Sequence, residues 1–358
     1  MVEPLPIGVL GLGRMGQVHA CHLASLPEAR LVAVASRRPT MARETAARYG
    51  ARAYTHYDDL LADQKLRAVV IASHTHEHRE HVEAAAAAGL AIFCEKPLAL
   101  SLQETDAALA AVAAVGMPLQ MGFMRRFDPP YVQAKRQIEE GAIGRPLTFK
   151  AISRDPQLPT VEDAEAQLRG NLFIDLGVHD FDLARWLMGQ AVQQVQAIGG
   201  ALVYHRLAEE GGVDNGLVNI VFADGALGNV ELSRNAVYGY DVRTEVLGSE
   251  GGLLIGGLQQ TPLTIMSPTG VSHDVFPWFP ERFKEAYLNE IRYFVECVRV
   301  DRFPSPDGDD DRAALEIALA ATESLRSGHA VDLSSRTSSA SGGRETSFAT
   351  PGMKGKKG

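Results

Sequence analysis

Residues 7–16 read Ile-Gly-Val-Leu-Gly-Leu-Gly-Arg-Met-Gly, and the architecture of the N-terminal part of the chain follows from them. The apolar start predicts a strand, and Gly11, Gly13 and Gly16 follow it with the G-x-G-x-x-G spacing of a dinucleotide-binding turn. Gly11 permits the tight bend, Gly13 leaves room for a pyrophosphate, and Gly16 lets helix and strand pack closely. The helix expected at 15–26 points its free N–H groups at the phosphates.

Strand-like and helix-like segments alternate over the first 122 residues, which disfavours the alternative interpretation of 11–16 as an ordinary glycine-rich turn. The expected strands are 7–10, 31–35, 68–73, 91–94 and 119–122. The expected helices are 15–26, 41–49, 77–88 and 102–115. This alternation predicts a doubly wound parallel sheet, with ligands bound beyond the carboxyl ends of its strands. We therefore expect an N-terminal Rossmann domain over residues 1–122.

Residues of the glycine turn and of the strand ends are the candidates for binding the dinucleotide. They are Gly11, Gly13, Arg14, Met15, Gly16, Ser36, Arg37, Arg38, Ser73, His74, His78, Glu95 and Lys96.

The second strand ends in Ser36-Arg37-Arg38, where an NAD-binding fold would carry the Asp or Glu that holds the ribose 2′-hydroxyl. Arginine side chains suit a phosphate dianion, which a carboxylate would repel. The alternative interpretation is a solvated basic turn. The sequence therefore predicts that NADP is favoured as cofactor and that NAD is possible.

After residue 122 the pattern changes to short alternating segments, which are typical of a mostly antiparallel sheet. The expected strands are 147–153, 192–203, 217–222, 227–232, 242–247, 252–255 and 263–266, and the expected helices are 130–140, 175–187, 283–300 and 310–327. The sequence thus predicts an α/β fold with a second α/β domain, over 123–333, on a large open sheet. Its apolar strands need a cover on the face that helices leave open, so we expect a homotetramer.

Composition narrows the class of protein. The 358 residues suffice for two domains, the apolar content is 46%, and the net charge of −9 disfavours nucleic acid as a partner. No apolar run reaches the ~18 residues of a membrane span, and no signal peptide is visible before the first strand. Three distant cysteines indicate reduced thiols and a cytoplasmic location. Residues 334–358, which are rich in Ser and Gly, are expected to be a disordered tail.

Three ionisable residues form the candidate catalytic group. Asp175 and His179 are four residues apart, so on a helix they project from one face within reach of each other. His179 is suited to take a proton, and Lys96, at a strand end, can hydrogen-bond the reacting oxygen. A helix cap with a satisfied histidine is the first alternative, and a pair of metal ligands is the second.

A cluster of histidines follows the third expected strand, at His74, His76, His78 and His81. A metal site is one interpretation. The spacing, however, places these side chains on different sides of the strand–helix junction, and no cysteine lies nearby in a zinc-binding pattern. We expect no metal.

With the glycine turn, the stretch Glu95-Lys96-Pro97 resembles the Gfo/Idh/MocA oxidoreductases, and within them the inositol 2-dehydrogenases. The more specific matches are 121–128 (Met-Gly-Phe-Met-Arg-Arg-Phe-Asp), 143–146 (Ile-Gly-Arg-Pro), 179–182 (His-Asp-Phe-Asp) and 238–241 (Tyr-Gly-Tyr-Asp). The resemblance implies Lys96, Asp175 and His179 as catalytic triad and an open-sheet domain that binds substrate and mediates tetramer formation. It implies that the polyol meets these three residues together with Arg125, Asp155 and Tyr240.

Two departures from the family pattern concern specificity. Ser36-Arg37 replaces the acid of the NAD-dependent members, and Asp155 stands where the family's His-Arg-Asn-Pro has its amide, leaving an acceptor-only group. The expected reaction is oxidation of a secondary hydroxyl of an inositol, myo or scyllo. Two alternatives remain open: a dehydrogenase or reductase of another sugar, such as a pyranose, and a catalytically inactive sugar- or nucleotide-sensing regulator.

Overall fold

The first of the two large sheets has six parallel strands. The computed structural model describes residues 3–157 and 171–334. The strands of the first sheet are β1 (Leu5–Leu10), β2 (Ala29–Ala35), β3 (Arg52–Tyr54), β4 (Ala68–Ile71), β5 (Ala91–Cys94) and β6 (Leu119–Met121). Their order is β3-β2-β1-β4-β5-β6, so the direction of winding reverses between β1 and β4. Ligands bind in the crevice at such a reversal, which here lies beside Gly11.

Helices cover both faces of this sheet because its strands are apolar at nearly every position. They are α1 (Arg14–Ser25), α2 (Pro39–Tyr49), α3 (Tyr57–Leu61), α4 (Thr75–Ala87) and α5 (Leu102–Val115).

The second sheet has seven strands and alternating burial. Its strands are β7 (Pro146–Arg154), β8 (Val192–Gly200), β9 (Asn215–Phe222), β10 (Leu227–Ser233), β11 (Asp241–Gly248), β12 (Gly252–Ile255) and β15 (Val331–Asp332). The order is β12-β11-β7-β10-β9-β8-β15, and β7 with β10 is its parallel pair, while the other neighbours are antiparallel. A separate hairpin is formed by β13 (Thr264–Ser267) and β14 (Gly270–His273).

In the part of the chain that the structure describes, helices pack on one face of the second sheet and leave the other face open. The helices of this part are α6 (Pro129–Glu139), α7 (Val178–Met188), α8 (Phe279–Arg282), α9 (Lys284–Arg299) and α10 (Gly308–Ser327). Large apolar side chains nevertheless point out of the open face, namely Ile198, Leu217, Leu227, Leu247 and Leu254.

Helix α9 returns to the first sheet. Its residues Ile291, Phe294 and Val295 belong to the same buried cluster as β1 and α1, and the Phe294 ring meets Phe93 of β5 with 5.9 Å between centroids. The core around the first sheet therefore draws on sequence far beyond residue 122.

The predicted fold class is confirmed, but the strand expected at 263–266 as part of the large sheet lies instead in the separate β13–β14 hairpin. β3 and α3 were not expected, because neither segment has a long apolar pattern. The expected helix 175–187 begins instead with a π-helical turn, Phe173–Gly177, before α7. Among the described residues no helix is long and apolar enough to cross a membrane. The predicted disordered tail, apart from Ser334, lies outside the described residues.

Candidate active site

The glycine turn has the geometry that a dinucleotide requires. Gly11 has φ +89°, and a Cβ there would lie 2.5 Å from the backbone of Ala72. A Cβ on Gly16 would collide with the carbonyl oxygen of Gly11, whereas a Cβ on Gly13 would meet no atom within 4 Å. Gly13 is also the N-cap of α1 and supplies no side-chain cap to the helix N–H groups. The residues present fit a pyrophosphate at this helix N-terminus.

Arg14 and Met15 complete the turn on different sides. The guanidinium of Arg14 stacks over the Trp278 ring, 4.5 Å from its centroid, and lies 5.8 Å from that of Phe279. Met15 is half-buried and packs on the core. The segment around α8 thus lies beside the predicted phosphate site.

The segment Ser36–Arg38 follows β2. Ser36 is buried, and its Oγ accepts a hydrogen bond from the backbone N–H of Arg38 at 3.1 Å. The Nη1 of Arg37 is 2.8 Å from Oε1 of Glu77, on the first turn of α4. One of the two expected phosphate ligands is therefore paired with a carboxylate.

The histidines after β4 meet separate partners. Nδ1 of His78 is 2.9 Å from the Pro97 carbonyl oxygen and Nε2 is 3.1 Å from the Ser73 carbonyl oxygen. Ser73 Oγ bonds to Nδ1 of His81 at 2.9 Å. His74 is exposed and stacks on His76. His78 is thus buried behind the loop and ties two strand ends together, so its support of a cofactor is indirect.

Glu95 also points away from the cleft. Its Oε1 lies 2.6 Å from Nε2 of His19, and both side chains are buried. Glu290 of α9 joins them, and within residues 3–157 and 171–334 this is the one group of potential ligands whose atoms lie within 4.8 Å of one another. Among residues 3–157 and 171–334 neither carboxylate oxygen of Glu290 has a hydrogen-bond partner. Burial, followed by the charge of Glu95, raises the pKa of Glu290 well above its usual value. Burial beside Glu95 therefore favours the protonated form of Glu290.

Lys96 and Asp175 meet at the carboxyl edge of the first sheet. The Nζ of Lys96 donates to the backbone carbonyl oxygen of Asp175 at 2.7 Å and lies 3.7 Å from its Oδ1. The other carboxylate oxygen, Oδ2, accepts from Nη2 of Arg234 at 2.8 Å. Lys96 and Arg234 both lie beside the Asp175 carboxylate, and two adjacent positive charges disfavour the alternative of a metal ion bound by Asp175 and His179.

His179 follows on α7 but does not bond to Asp175. The π-helical turn separates the two residues, and the carboxylate is directed to Arg234 instead, which corrects the expected Asp175–His179 contact. The His179 ring packs edge-on against Phe123, at 6.0 Å between centroids. Burial, then the charges of Lys96 and Arg125, lowers its pKa well below the usual value. His179 is therefore a neutral imidazole that can accept a proton.

The predicted polyol ligands differ in exposure. Arg125 is only 1% exposed and its Nη1 donates to Oδ1 of Asp180 at 2.7 Å and to Oγ of Ser153 at 3.1 Å. Tyr240 is also buried, which raises its pKa, and packs edge-on against Phe283. Asp155 is half-buried.

Burial raises the pKa of Asp155 to about 6, although Arg234 acts in the opposite direction. Arg125 and Tyr240 form a buried wall, and Asp155 is the more accessible of the three predicted ligands.

Sequence reasoning missed Arg234. The residue follows β10, and the register of the parallel pair sets Ser233 against Arg154, so that Arg234 and Asp155 leave the sheet at the same edge. A charged residue directly after an apolar strand was the available signal, but it becomes informative only when the neighbouring strand is known.

The sequence matches models of known protein families in both parts of the chain. The sequence model described as an oxidoreductase family with NAD-binding Rossmann fold matches residues 5–123, and the model of the GFO/IDH/MocA C-terminal domain matches residues 131–254.

Individual relatives match over nearly the whole chain. Scyllo-inositol 2-dehydrogenase (NAD(+)) of Bacillus subtilis strain 168 is 42% identical over 335 residues, 93% of this chain and 97% of the relative. Myo-inositol 2-dehydrogenase of Thermotoga maritima is 36% identical over 91% of this chain and 98% of the relative. The structure of scyllo-inositol dehydrogenase from Lactobacillus casei with bound NAD(H) and scyllo-inositol is 30% identical, with a TM-score of 0.88 over 92% of this chain and 99% of that chain.

Proposed function

Because this chain belongs to the Gfo/Idh/MocA oxidoreductase family, we propose that it oxidises a secondary hydroxyl of an inositol, myo or scyllo, to the ketone. The observation that carries the proposal is the meeting of Lys96, Asp175 and a neutral His179 at the sheet edge beside the glycine turn. The relatives named for inositol oxidation cover at least nine-tenths of the chain and support the choice of substrate.

The dinucleotide would lie on Gly11, Gly13 and the N-terminus of α1, and its nicotinamide supplies the hydride acceptor when bound. His179 takes the proton of the reacting hydroxyl, because burial beside two cations keeps its imidazole neutral. Lys96 donates a hydrogen bond to the same oxygen as negative charge develops on it. Asp175 orients Lys96 through its backbone carbonyl oxygen.

The substrate side of the cleft would be formed by Asp155, backed by Arg125 and Tyr240. An ionised Asp155 accepts hydrogen bonds from the vicinal hydroxyls of a cyclic polyol. Residues 123–333 supply this side, and we assign them substrate binding and residues 1–122 dinucleotide binding.

The cofactor belongs to the nicotinamide dinucleotides, and the preference for NADP stays a prediction. The Arg37–Glu77 ion pair argues against a strong preference, because a 2′-phosphate would have to displace the Glu77 carboxylate or lie beside it. We therefore expect the ratio of kcat/KM for NADP to that for NAD to be at most about tenfold, the worth of one charge-assisted hydrogen bond of ~1.5 kcal/mol.

Two variants test the cofactor proposal. Ser36→Asp is expected to favour NAD, because the new carboxylate accepts the free ribose hydroxyl and repels the phosphate. Glu77→Gln is expected to free Arg37 and to raise the NADP to NAD ratio. A wild-type enzyme that prefers NAD would contradict the predicted NADP preference and would leave Ser36 and backbone groups to hold the ribose.

The function is tested by following the nicotinamide absorbance with purified protein, both cofactors, inositol isomers and aldoses. Oxidation of an inositol with a kcat/KM at least tenfold above that of any aldose is the expected result. A higher kcat/KM for a pyranose than for any inositol would identify a dehydrogenase of another sugar. Binding of the nucleotide without turnover of any tested polyol or sugar would identify a catalytically inactive regulator.

We further propose that the protein is a homotetramer and acts in the cytoplasm. The open face of the second sheet, with its protruding leucine and isoleucine side chains, supports the first. The cysteines Cys21, Cys94 and Cys297 are all unpaired, which supports a reducing compartment.

A further inference from the structure

Arg234 is a buried cation at the edge of the cleft that the proposed reaction does not use. Its side chain is 4% exposed, yet its Nη2 reaches Oδ2 of Asp175 at 2.8 Å. Asp175 itself is one-third exposed, so its carboxylate has room to move. The guanidinium is the fixed partner of the two.

Arg234 and Lys96 compete for this carboxylate. An unrestrained lysine ammonium beside a carboxylate is expected to form a charge-assisted hydrogen bond with an N···O distance of ~2.7–2.9 Å. Lys96 Nζ instead lies 3.7 Å from Oδ1 of Asp175 and donates to the backbone carbonyl oxygen at 2.7 Å. An ammonium has three N–H donors, so this arrangement leaves donors for a substrate oxygen.

We propose that Arg234 is a positioning residue: it anchors the carboxylate of Asp175 away from Lys96, so that Lys96 keeps an N–H free for the reacting oxygen. This inference rests on the proposed function, since it assigns the oxygen to the polyol. It adds a residue that the catalytic triad does not include.

The charges around Asp175 support the assignment. Five ionisable residues surround Asp175 and affect its pKa or the pKa values of its neighbours. They are Lys96, Arg125, Asp155, His179 and Arg234. Burial opposes ionisation of Asp175, but Arg234, followed by Lys96, holds the pKa of Asp175 below its usual value. Arg234 is also the strongest influence that lowers the pKa of Asp155. Removing this cation therefore moves both carboxyl pKa values upward.

Kinetics of R234Q and R234K as a function of pH provide the first test. For R234Q we expect kcat to fall ~10- to 100-fold, as for loss of a preorganised donor, and the acid limb of kcat/KM to move upward by about one pH unit. R234K keeps the charge but not the planar fork, so we expect the limb at its wild-type position and a smaller loss of kcat, ~3- to 10-fold. KM for the dinucleotide is expected to stay unchanged in both.

Arg126→Gln is the matched control. Arg126 is equally buried and its Nη2 pairs with Oδ1 of Asp182 at 2.6 Å, away from Asp175. We expect this variant to lose thermal stability while the acid limb stays in place. The proposal would be overturned if the acid limb of kcat/KM did not move in R234Q. Should R234Q fail to fold, a wild-type kcat in R234K would overturn it.

A crystal structure of R234Q without substrate gives a second test that needs no activity. We expect the distance from Lys96 Nζ to the nearest Asp175 carboxylate oxygen to close from 3.7 Å to about 3 Å. An unchanged distance would contradict the anchoring role. If the wild-type enzyme oxidises no polyol, the proposed function fails, and this distance still decides whether Arg234 anchors Asp175.

Discussion

His179 is the residue on which the proposed proton transfer depends. We expect His179→Ala to lower kcat by ~10²-fold or more, as loss of a general base does, while the dissociation constant of the dinucleotide stays the same. Stopped-flow turnover and a binding titration measure the two quantities. Unchanged turnover would remove His179 from the mechanism.

Asp155 is expected to give the binding of substrate its pH dependence. Burial raises its pKa to about 6, so the carboxylate is ionised above that pH and protonated below it. Charge-assisted hydrogen bonds to the polyol weaken on protonation, and we expect KM for the polyol to rise several-fold as pH falls through about 6.

Asp155→Asn is the isosteric test of this expectation. The amide does not titrate, so KM should be higher than in the wild type at pH 8 and flat between about pH 5 and 8. A KM that keeps its pH dependence in this variant would assign the titration to another group.

Individual site residues differ in how far the sequence could specify them. Lys96 and the glycines were predictable because one short stretch fixes both their conformation and their place at a strand end. Arg234 was not, because its place beside Asp175 depends on the parallel pairing of β7 and β10. That pairing joins residues 79 positions apart in the chain, in a sheet expected to be mostly antiparallel. Nor does spacing alone reveal that the π-helical turn separates Asp175 from His179.

The architecture of the first sheet follows from its sequence more completely than that of the second sheet. Its strands are continuously apolar and are punctuated by helices, which fixes both the type and the direction of each element. In the second sheet alternation identifies the strands but not their partners, so order and direction depend on tertiary packing. The short β3 and α3 carry too weak a pattern to be expected from sequence.

Glu290 of helix α9 is expected to make the stability of the protein depend on pH. Glu290 is fully buried, its carboxylate has no hydrogen-bond partner in the described part of the chain, and its pKa in the folded protein lies well above that of the unfolded chain. The folded state therefore holds the proton more tightly, and stability is lost as pH rises above the unfolded pKa. A glutamine at this position does not titrate, so Glu290→Gln removes this loss. The Tm of the variant minus that of the wild type should therefore be larger at pH 8 than at pH 5, by at least about 2 °C.

Glu296→Gln, an exposed position of the same helix, is the control for this experiment. Its difference in Tm from the wild type should not depend on pH. A difference for Glu290→Gln that is equally flat would mean that Glu290 titrates normally.

The open face of the second sheet is the surface through which we propose that the protein assembles. Ile198 of β8 lies directly opposite Leu217 of β9, and both side chains are exposed in the single chain. We expect light scattering to give a tetramer for the wild type and a smaller species for Leu217→Glu, because a charge would be buried at the interface.

Val300→Glu serves as the control, since Val300 is exposed but follows α9, away from the second sheet. This variant should remain a tetramer. A wild-type monomer at micromolar concentration would contradict the proposed assembly.

The return of α9 to the first sheet limits how the molecule can be divided. A fragment ending at residue 122 would lack Ile291, Phe294 and Val295, and would expose the apolar surface that they cover. A domain that folds by itself needs its whole core. The nucleotide-binding half is therefore not a transplantable module: a chimera joined near residue 123 must also exchange the distant helix that completes it.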